Sequence, residues 1–523
     1  MRLFQVLCGG YGIVLLFWLW MCKDIAFEAR FAGLTSGSPL YAYSVLVSAY
    51  LAARFLTALF YRSTPDTGHR PTASIVIPAF NEEECIESTI DACYQTAYPA
   101  ERLNVIVVDD GSTDGTWERI EAARRRHPSL VAVRFAENKG KRAAMAEGIR
   151  RSDSEICVFV DSDSVIEPDG VNFIMADFRD PRVGSVVGSA DILNKYENWI
   201  TRMQQVRYFA AFRVIKGSES VFGAVTCASG CFSAYRRTAL LEILPEWENQ
   251  TFLGRPATYG DDRALTNSIL PSWRVVYQSR ARVSTLAPNT LRKFMTQQLR
   301  WRKSACRETL RVATFIWRKH PIAASLTYTS ALLQILSPLV LGYMLYWAVI
   351  FGDGASVYLA GSFVMAVLYS LFYAFAQRSP LWWYGMLFVA VYMLVLVWQT
   401  YWAAATLRDT SWGTRATTAR VSRSRRMLER ATRRLGHRTR LHPRSKLTET
   451  VLGVLMLPLS FLPIYLYSRT SRDGYIIWTH FASAVRTPTA MAPELLSFLV
   501  ATTALLMVAI LARRLRPHPS GTT

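Results

Sequence analysis

Hydrophobic positions divide this chain into stretches of different character. Two apolar runs open it, at 3–22 and 40–61. Each is close to the roughly 20 residues that cross a bilayer as a helix. The first has no small-residue cleavage signal and reads as an anchor rather than a removable leader. Arg54 falls inside the second run, so its guanidinium is expected to face protein or water, or to snorkel to an interface.

From about Pro71 to Pro288 the apolar runs shorten and alternate with amphipathic stretches. "ASIVIPAF" (73–80), "LNVIVVDD" (103–110), "LVAVRF" (130–135) and "EICVFVDSD" (155–163) read as strands, with helical patterns near 82–95, 115–126 and 139–151. That alternation predicts an α/β domain built on a largely parallel sheet. In such sheets ligands gather outside the carboxyl ends of the strands. Two of the predicted strands end in acidic clusters, Asp109–Asp110 and Asp161–Ser162–Asp163.

A third pattern begins near Asn289 and runs to His320. Leu291, Phe294, Met295, Leu299 and Leu310 alternate with Arg and Lys, as in helices that lie in a membrane interface. On this pattern Arg302, Lys303 and Arg307 are expected to anchor the helix to that interface. Apolar runs follow at 322–350, 355–377 and 381–406, and again at 450–467 and 492–512. Between the two groups, 415–446 holds twelve Arg or Lys against the single acid Glu429. The positive-inside rule places that segment in the cytoplasm. An even number of crossings must then separate it from a cytoplasmic α/β domain, although three runs are visible. Part of 381–406 is therefore expected to lie in the interface, the alternative being a split of 322–350 near Pro338.

The net charge of +21 over 523 residues would fit a nucleic-acid partner in a wholly soluble protein. Here the charge flanks apolar runs, and no recognition-helix, zinc-finger or aromatic RNA-binding pattern accompanies it. No nucleic-acid partner is expected. The eight cysteines are scattered without a C-x-x-C pair, which argues against a disulfide framework or structural zinc.

The chemistry concentrates in short polar motifs. "DSD" (161–163) follows an apolar strand directly, and two carboxylates so spaced can bind Mg²⁺ or Mn²⁺ through oxygen. "VVDDGSTDGT" (107–116) offers Asp109 or Asp110 to the base or ribose of a nucleotide. "NKGKRAA" (138–144) sets Lys139, Lys141 and Arg142 at a helix start, where cations and backbone N–H groups favour phosphate. "YGDDRALT" (259–266) supplies a further carboxylate pair, of which Asp262 is the candidate general base. Each motif alone also fits a solvated turn or a helix cap.

Their order is more specific than any one of them. P-x-F-N-E (78–82), D-D-G-S-x-D (109–114), N-K-G-K-R, D-S-D, "CASGCFSAYRR" (227–237), G-D-D-R (260–263) and Q-x-x-R-W at Gln297, Arg300 and Trp301 occur in sequence. The set resembles the family 2 processive glycosyltransferases, the group of cellulose, chitin and hyaluronan synthases. "GDDRALTN", "QQLRWRKSACRE" and "SWGTR" (411–415) bring it nearest to class I hyaluronan synthases. One departure is Cys231, where those enzymes usually have proline after Ser-Gly.

The resemblance implies a GT-A-type, Rossmann-like cytosolic domain fused to an α-helical transmembrane channel domain with interfacial helices. Its expected parts are two transmembrane helices (1–66), the glycosyltransferase domain (67–288), interfacial helices (289–320) and transmembrane or interfacial helices (321–408). A cytosolic gating loop and basic segment (409–448), two further transmembrane helices (449–515) and a tail (516–523) complete it.

By the same resemblance the donor UDP-sugar would be met by Asp109, Asp110, Lys139, Asp161, Arg300, Trp412, Thr414 and Arg415. Of these, Asp109 would contact uridine and Arg300 the diphosphate, with 412–415 closing over the nucleotide. Cys227, Ser229, Gly230, Asp261, Gln297 and Trp301 would receive the acceptor, Asp161 and Asp163 would hold Mg²⁺ or Mn²⁺, and Asp262 would be the base. The implied activity is inverting polymerisation of UDP-GlcNAc and UDP-GlcA into hyaluronan and export of the polymer. A chitin-like or other β-glycan synthase using one UDP-sugar is the alternative. The expected partners are UDP-sugars, the growing polysaccharide and the lipid bilayer, with a single chain sufficing. The setting implied is a multi-pass protein of the cell membrane whose catalytic domain is cytoplasmic.

Overall fold

The computed structural model describes residues 39–351, 366–367 and 369–409. The chain divides into two compact units, Met1–Tyr343 with Gly361–Gly453, and Met344–Ala360 with Val454–Thr523. Only 344–351 of the second lie among the described residues. The runs expected to span at 3–22, 450–467 and 492–512, and the basic segment 415–446, fall outside them.

Helix α1 (Pro39–Leu59) precedes an eight-stranded sheet in the order β3-β2-β1-β4-β7-β6-β10-β5. Its first strands are β1 (Ala73–Ala79), β2 (Leu103–Asp109), β3 (Val131–Arg134) and β4 (Ile156–Phe159). Every residue of β1 is buried, because helices cover both faces, and this is why its sequence reads as continuous apolar rather than alternating. Helices α2 (Ile86–Tyr94), α3 (Thr116–Arg126) and α4 (Lys141–Arg151) connect these strands, which pair in parallel.

The second half departs from the expected parallel sheet. After β5 (Ser164–Ile166), α5 (Gly170–Ala176) and β6 (Val183–Ile192), strand β7 (Ser233–Arg236) inserts between β4 and β6, antiparallel to both. The last strand, β10 (Arg274–Thr285), runs parallel to β6 and antiparallel to β5, so the sheet is mixed. A four-residue strand emerging from a polar loop has too little pattern to be read from sequence.

Between β6 and β7 lie α6 (Trp199–Ala210), a π-helical turn (Ala211–Lys216) and α7 (Gly217–Val221). Asn198 caps α6 by accepting from the amides of Ile200 and Thr201. After β7 come α8 (Arg237–Glu248), the short hairpin β8 (Thr251–Phe252) and β9 (Arg255–Pro256), and α9 (Asp261–Ile269).

Helix α10 (Leu291–Ala313) carries the Q-x-x-R-W motif, and α11 (Pro321–Phe351) follows. Within α11, Pro321–Tyr346 is long and apolar enough to cross a membrane, and the helix continues unbroken through Pro338. The segment Pro380–Leu396 and Gln399–Ala405 is instead bent by 44° at its break. It contains α12 (Tyr384–Val391) and α13 (Gln399–Ala405).

Candidate active site

Five loops, at the carboxyl ends of β1, β2, β3 and β4 and ahead of β7, build one polar region. The first two lock together. Asn81 Oδ1 accepts from the Thr113 amide at 2.9 Å, and Glu83 accepts from Gly115 N at 2.9 Å. Gly111 adopts φ +70°, and a Cβ there would stand 2.5 Å from the Glu137 carbonyl carbon. A side chain would therefore force apart the loops after β2 and β3. Asp110 Oδ1 accepts from the amides of Lys139 (2.7 Å) and Gly140 (3.1 Å), clamping that second loop. Asp109 is fully buried, with Oδ1 held by the Ser112 amide and Arg134 Nε 3.5 Å from Oδ2.

The loop after β3 delivers two cations to different places. Lys141 Nζ forms an ion pair with Asp161 Oδ1. Arg142 turns inward, where Nε lies 2.8 Å from Asp261 Oδ1 and Nη1 donates to the Trp247 carbonyl. Asp261, expected on the acceptor, is only 4% exposed in this ion pair. Asp163 Oδ1 accepts from Thr285 Oγ1 at 3.2 Å, so the two D-x-D carboxylates have different partners.

The loop 226–231 brings the base and the D-x-D motif together. Gly230 N donates to Asp262 Oδ2 at 3.2 Å. On the same residue, a Cβ would stand 3.3 Å from Lys141 Nζ and 3.4 Å from Asp161 Oδ1. The other oxygen of Asp262, Oδ1, accepts from Arg263 N at 2.8 Å, so two amides fix the carboxylate's direction. Cys227 Sγ is 4.0 Å from Asp262 Oδ2, and burial followed by that carboxylate raises its thiol pKa.

Three supporting residues carry no motif. Lys216 Nζ donates to Ser229 Oγ (2.7 Å) and to the Cys227 carbonyl. Glu219 accepts from Thr226 N at 3.2 Å and pairs with Arg54, which thus faces protein. A polar cavity of about 60 Å³ is lined by Arg54, Glu219, Arg263, Asn267 and Glu308 among others.

Helix α10 docks against the base through a close approach. Gly260 adopts φ +74°, and a Cβ there would stand 1.9 Å from Ser304 Oγ. Arg307 Nη2 donates to the Tyr259 carbonyl at 2.7 Å and Nε to Glu308 at 2.8 Å. Lys303 pairs with Asp409 at 2.9 Å, and Arg302 donates to Thr400 Oγ1 at 2.6 Å. The expectation that these residues anchor an interfacial helix is therefore corrected for Lys303 and Arg307. Lys303 and Arg307 are 5% and 4% exposed and satisfied by acids and carbonyls, and periodicity alone cannot distinguish such partners from lipid headgroups.

Trp301 packs with Tyr208 at a ring-centroid separation of 6.1 Å. Gln297 is partly buried and its Oε1 has no hydrogen-bond partner in the structure. Arg300 lies one turn of α10 from Ser304. Trp412, Thr414 and Arg415 lie outside the described residues. Asp161, Gly230, Asp262 and Cys227 thus come together, whereas Asp109, Asp110 and Asp261 serve contacts within the protein.

Among the described residues there is no cluster of three or more His, Cys, Asp or Glu able to hold a metal. The chemistry of Asp161 and Asp163 nevertheless fits Mg²⁺ or Mn²⁺, since such ions are commonly held by one or two carboxylates together with substrate phosphates.

The model of the family described as glycosyl transferase family 2 matches residues 74–244. A hyaluronan synthase from Streptococcus pyogenes is 32% identical over 386 residues, covering 71% of this chain and 90% of that protein. An N-acetylglucosaminyltransferase from Azorhizobium caulinodans is 36% identical over 285 residues, covering 51% and 69% respectively. Among solved structures, a mannosyltransferase from Pyrobaculum calidifontis in complex with GDP-Man and Mn²⁺ is matched over 68% of this chain and 99% of that one, with 22% identity and a TM-score of 0.48.

Proposed function

The chain belongs to glycosyl transferase family 2, and from that membership we propose that it is a membrane-embedded, processive, inverting synthase. It joins UDP-GlcNAc and UDP-GlcA into hyaluronan and moves the polymer across the cell membrane, with its catalytic domain in the cytoplasm. The observation that carries this reading is the junction at Gly230, whose amide holds Asp262 while the space a Cβ would take there borders Asp161 and Lys141. Base, acceptor loop and donor carboxylate meet at one residue.

In this reading Asp262 takes the proton of the acceptor hydroxyl as its oxygen attacks the anomeric carbon. The carbon–oxygen bond to the diphosphate breaks and UDP departs from the opposite face, which inverts the configuration. Lys141 and Arg300 face the charge that develops on the leaving diphosphate. Asp161 and Asp163 would hold Mg²⁺ or Mn²⁺, which supplies further neutralisation of that charge. Trp301 is the platform for the acceptor sugar, and 412–415 the segment that closes over the nucleotide.

A second reading, a synthase that uses one UDP-sugar, is favoured by the 36% identity to the N-acetylglucosaminyltransferase. Feeding membranes labelled UDP-sugars singly and together separates the two. Hyaluronidase-sensitive polymer formed only from both donors is the expected result; polymer made equally well from one donor would overturn it.

A further inference from the structure

Arg207, on α6, lies outside every motif of the sequence and is the most informative residue near Trp301. Its guanidinium carbon is 5.2 Å from the ring centre of Trp301 and 5.4 Å from that of Phe388. Arg302, the residue after that tryptophan, lies 5.3 Å from the ring centre of Tyr392. The ionisable neighbours that act on Arg207 are Tyr208, Arg302 and Tyr392, and none is a carboxylate. Among the described residues neither arginine has an acidic partner within ion-pair distance. Burial lowers the pKa of Arg207, and Arg302 pushes the same way.

Both arginines are partly buried, one over Trp301 and Phe388 and the other over Tyr392, whose ring centre lies 6.2 Å from that of Phe388; two guanidiniums on one aromatic box without an acid leave a place for an anion. The surroundings narrow its chemistry. Aromatic faces receive the apolar face of a sugar ring, as a strongly hydrated phosphate does not. A guanidinium offers a planar fork that matches a carboxylate. Tyr208, the next residue of α6, packs on the same tryptophan at 6.1 Å between ring centres.

We propose that Arg207, with Arg302 beside it, is a specificity residue that holds the carboxylate of a uronic-acid unit of the acceptor chain next to Trp301. The assignment rests on the reading that the polymer contains a uronate. It gives the enzyme a physical means of distinguishing a uronate-bearing chain from a neutral glycan at the acceptor site.

The test is calorimetric titration of the purified full-length protein in detergent. The probes are a hyaluronan tetrasaccharide, the same tetrasaccharide with its carboxylates reduced to alcohols, and UDP. The wild type is expected to prefer the charged form by about tenfold or more, the scale of one charge-assisted contact. Arg207→Gln should remove the preference, and Arg207→Lys should restore part of it. A preference that survives in Arg207→Gln overturns the proposal, as does an equal loss of affinity for both oligosaccharides, which marks a packing role. Loss of UDP binding instead assigns the guanidinium to the donor and equally overturns it. The two-donor experiment is separate: polymer from one neutral donor removes the underlying reading together with this one. Strict need for both donors, with the preference intact in Arg207→Gln, removes this one alone.

Discussion

Arg54 Nη1 lies 3.4 Å from Glu219 Oε1, and both side chains are nearly removed from solvent. Glu219 also receives the amide of Thr226, so helix α1 is tied through one carboxylate to the loop that holds Asp262. Removing one member of a buried ion pair leaves the other charge uncompensated, at a cost of roughly 3–5 kcal/mol. Arg54→Gln and Glu219→Gln should each lower thermal stability in detergent and UDP release. The double variant should recover part of the loss. Strictly additive losses in a double-mutant cycle would show that the two do not act as a pair.

Asp262→Asn keeps the shape of the side chain and an acceptor oxygen for one of its two amide donors. It removes the group proposed to take the proton. Polymer formation should fall by about 10²–10⁴-fold, the range attributable to a positioned base. Donor binding, followed by UDP titration, should change little. Polymerisation that persists near the wild-type rate would assign the base elsewhere.

Gly260→Ala should be costly for two reasons, the left-handed backbone and the approach of Ser304. Backbone strain of this kind contributes on the order of 1 kcal/mol, and overpacking adds about 1–3 kcal/mol. Ser304→Ala alone should be close to neutral, because Ser304 Oγ is buried without a hydrogen-bond partner. Combining Gly260→Ala with Ser304→Gly should recover part of the melting temperature, since it removes the clash and leaves the strain.

Asp177 gives a pH prediction. Burial raises its carboxyl to about 6, although Thr64 Oγ1 and Gln278 Nε2 donate to it. The folded state therefore holds a proton that the unfolded chain releases at lower pH. The stability associated with this group is present below the ordinary carboxylate pKa and is lost as pH rises toward 6. Two pKa units correspond to about 3 kcal/mol. Asp177→Asn should flatten the stability profile of the full chain between pH 4 and 6 relative to the wild type. Parallel profiles for the two proteins would contradict this.

The strands β1, β2, β3 and β4 were legible because each is a dense apolar run between turn residues. The loops at their ends were legible because they carry motifs in a fixed order. β7 was not, being four residues flanked by polar loop and helix. Lys216 and Glu219 were equally hidden, since only the tertiary fold brings them to 226–231. Asp261 looked like half of a catalytic pair and proved to be the counter-charge of Arg142. Lys303 and Arg307 depart from expectation for a similar reason. Their helix is amphipathic, and the partners Asp409 and Tyr259 lie up to about a hundred residues away in the chain.

The π-helical turn at Ala211–Lys216 acts as a phase adjuster in a rotary sense. A regular helix advances roughly 100° per residue, and a widened turn accommodates an extra residue without disturbing what precedes it. Upstream of it Arg207 is aimed at Trp301; at its last residue Lys216 is aimed at Ser229. Deleting one residue inside the turn would let the backbone relax to α-helical pitch and swing Lys216 by about that angle. The two cations occupy one continuous helical rod yet address different parts of the site, and their relative bearing is set by the length of six residues.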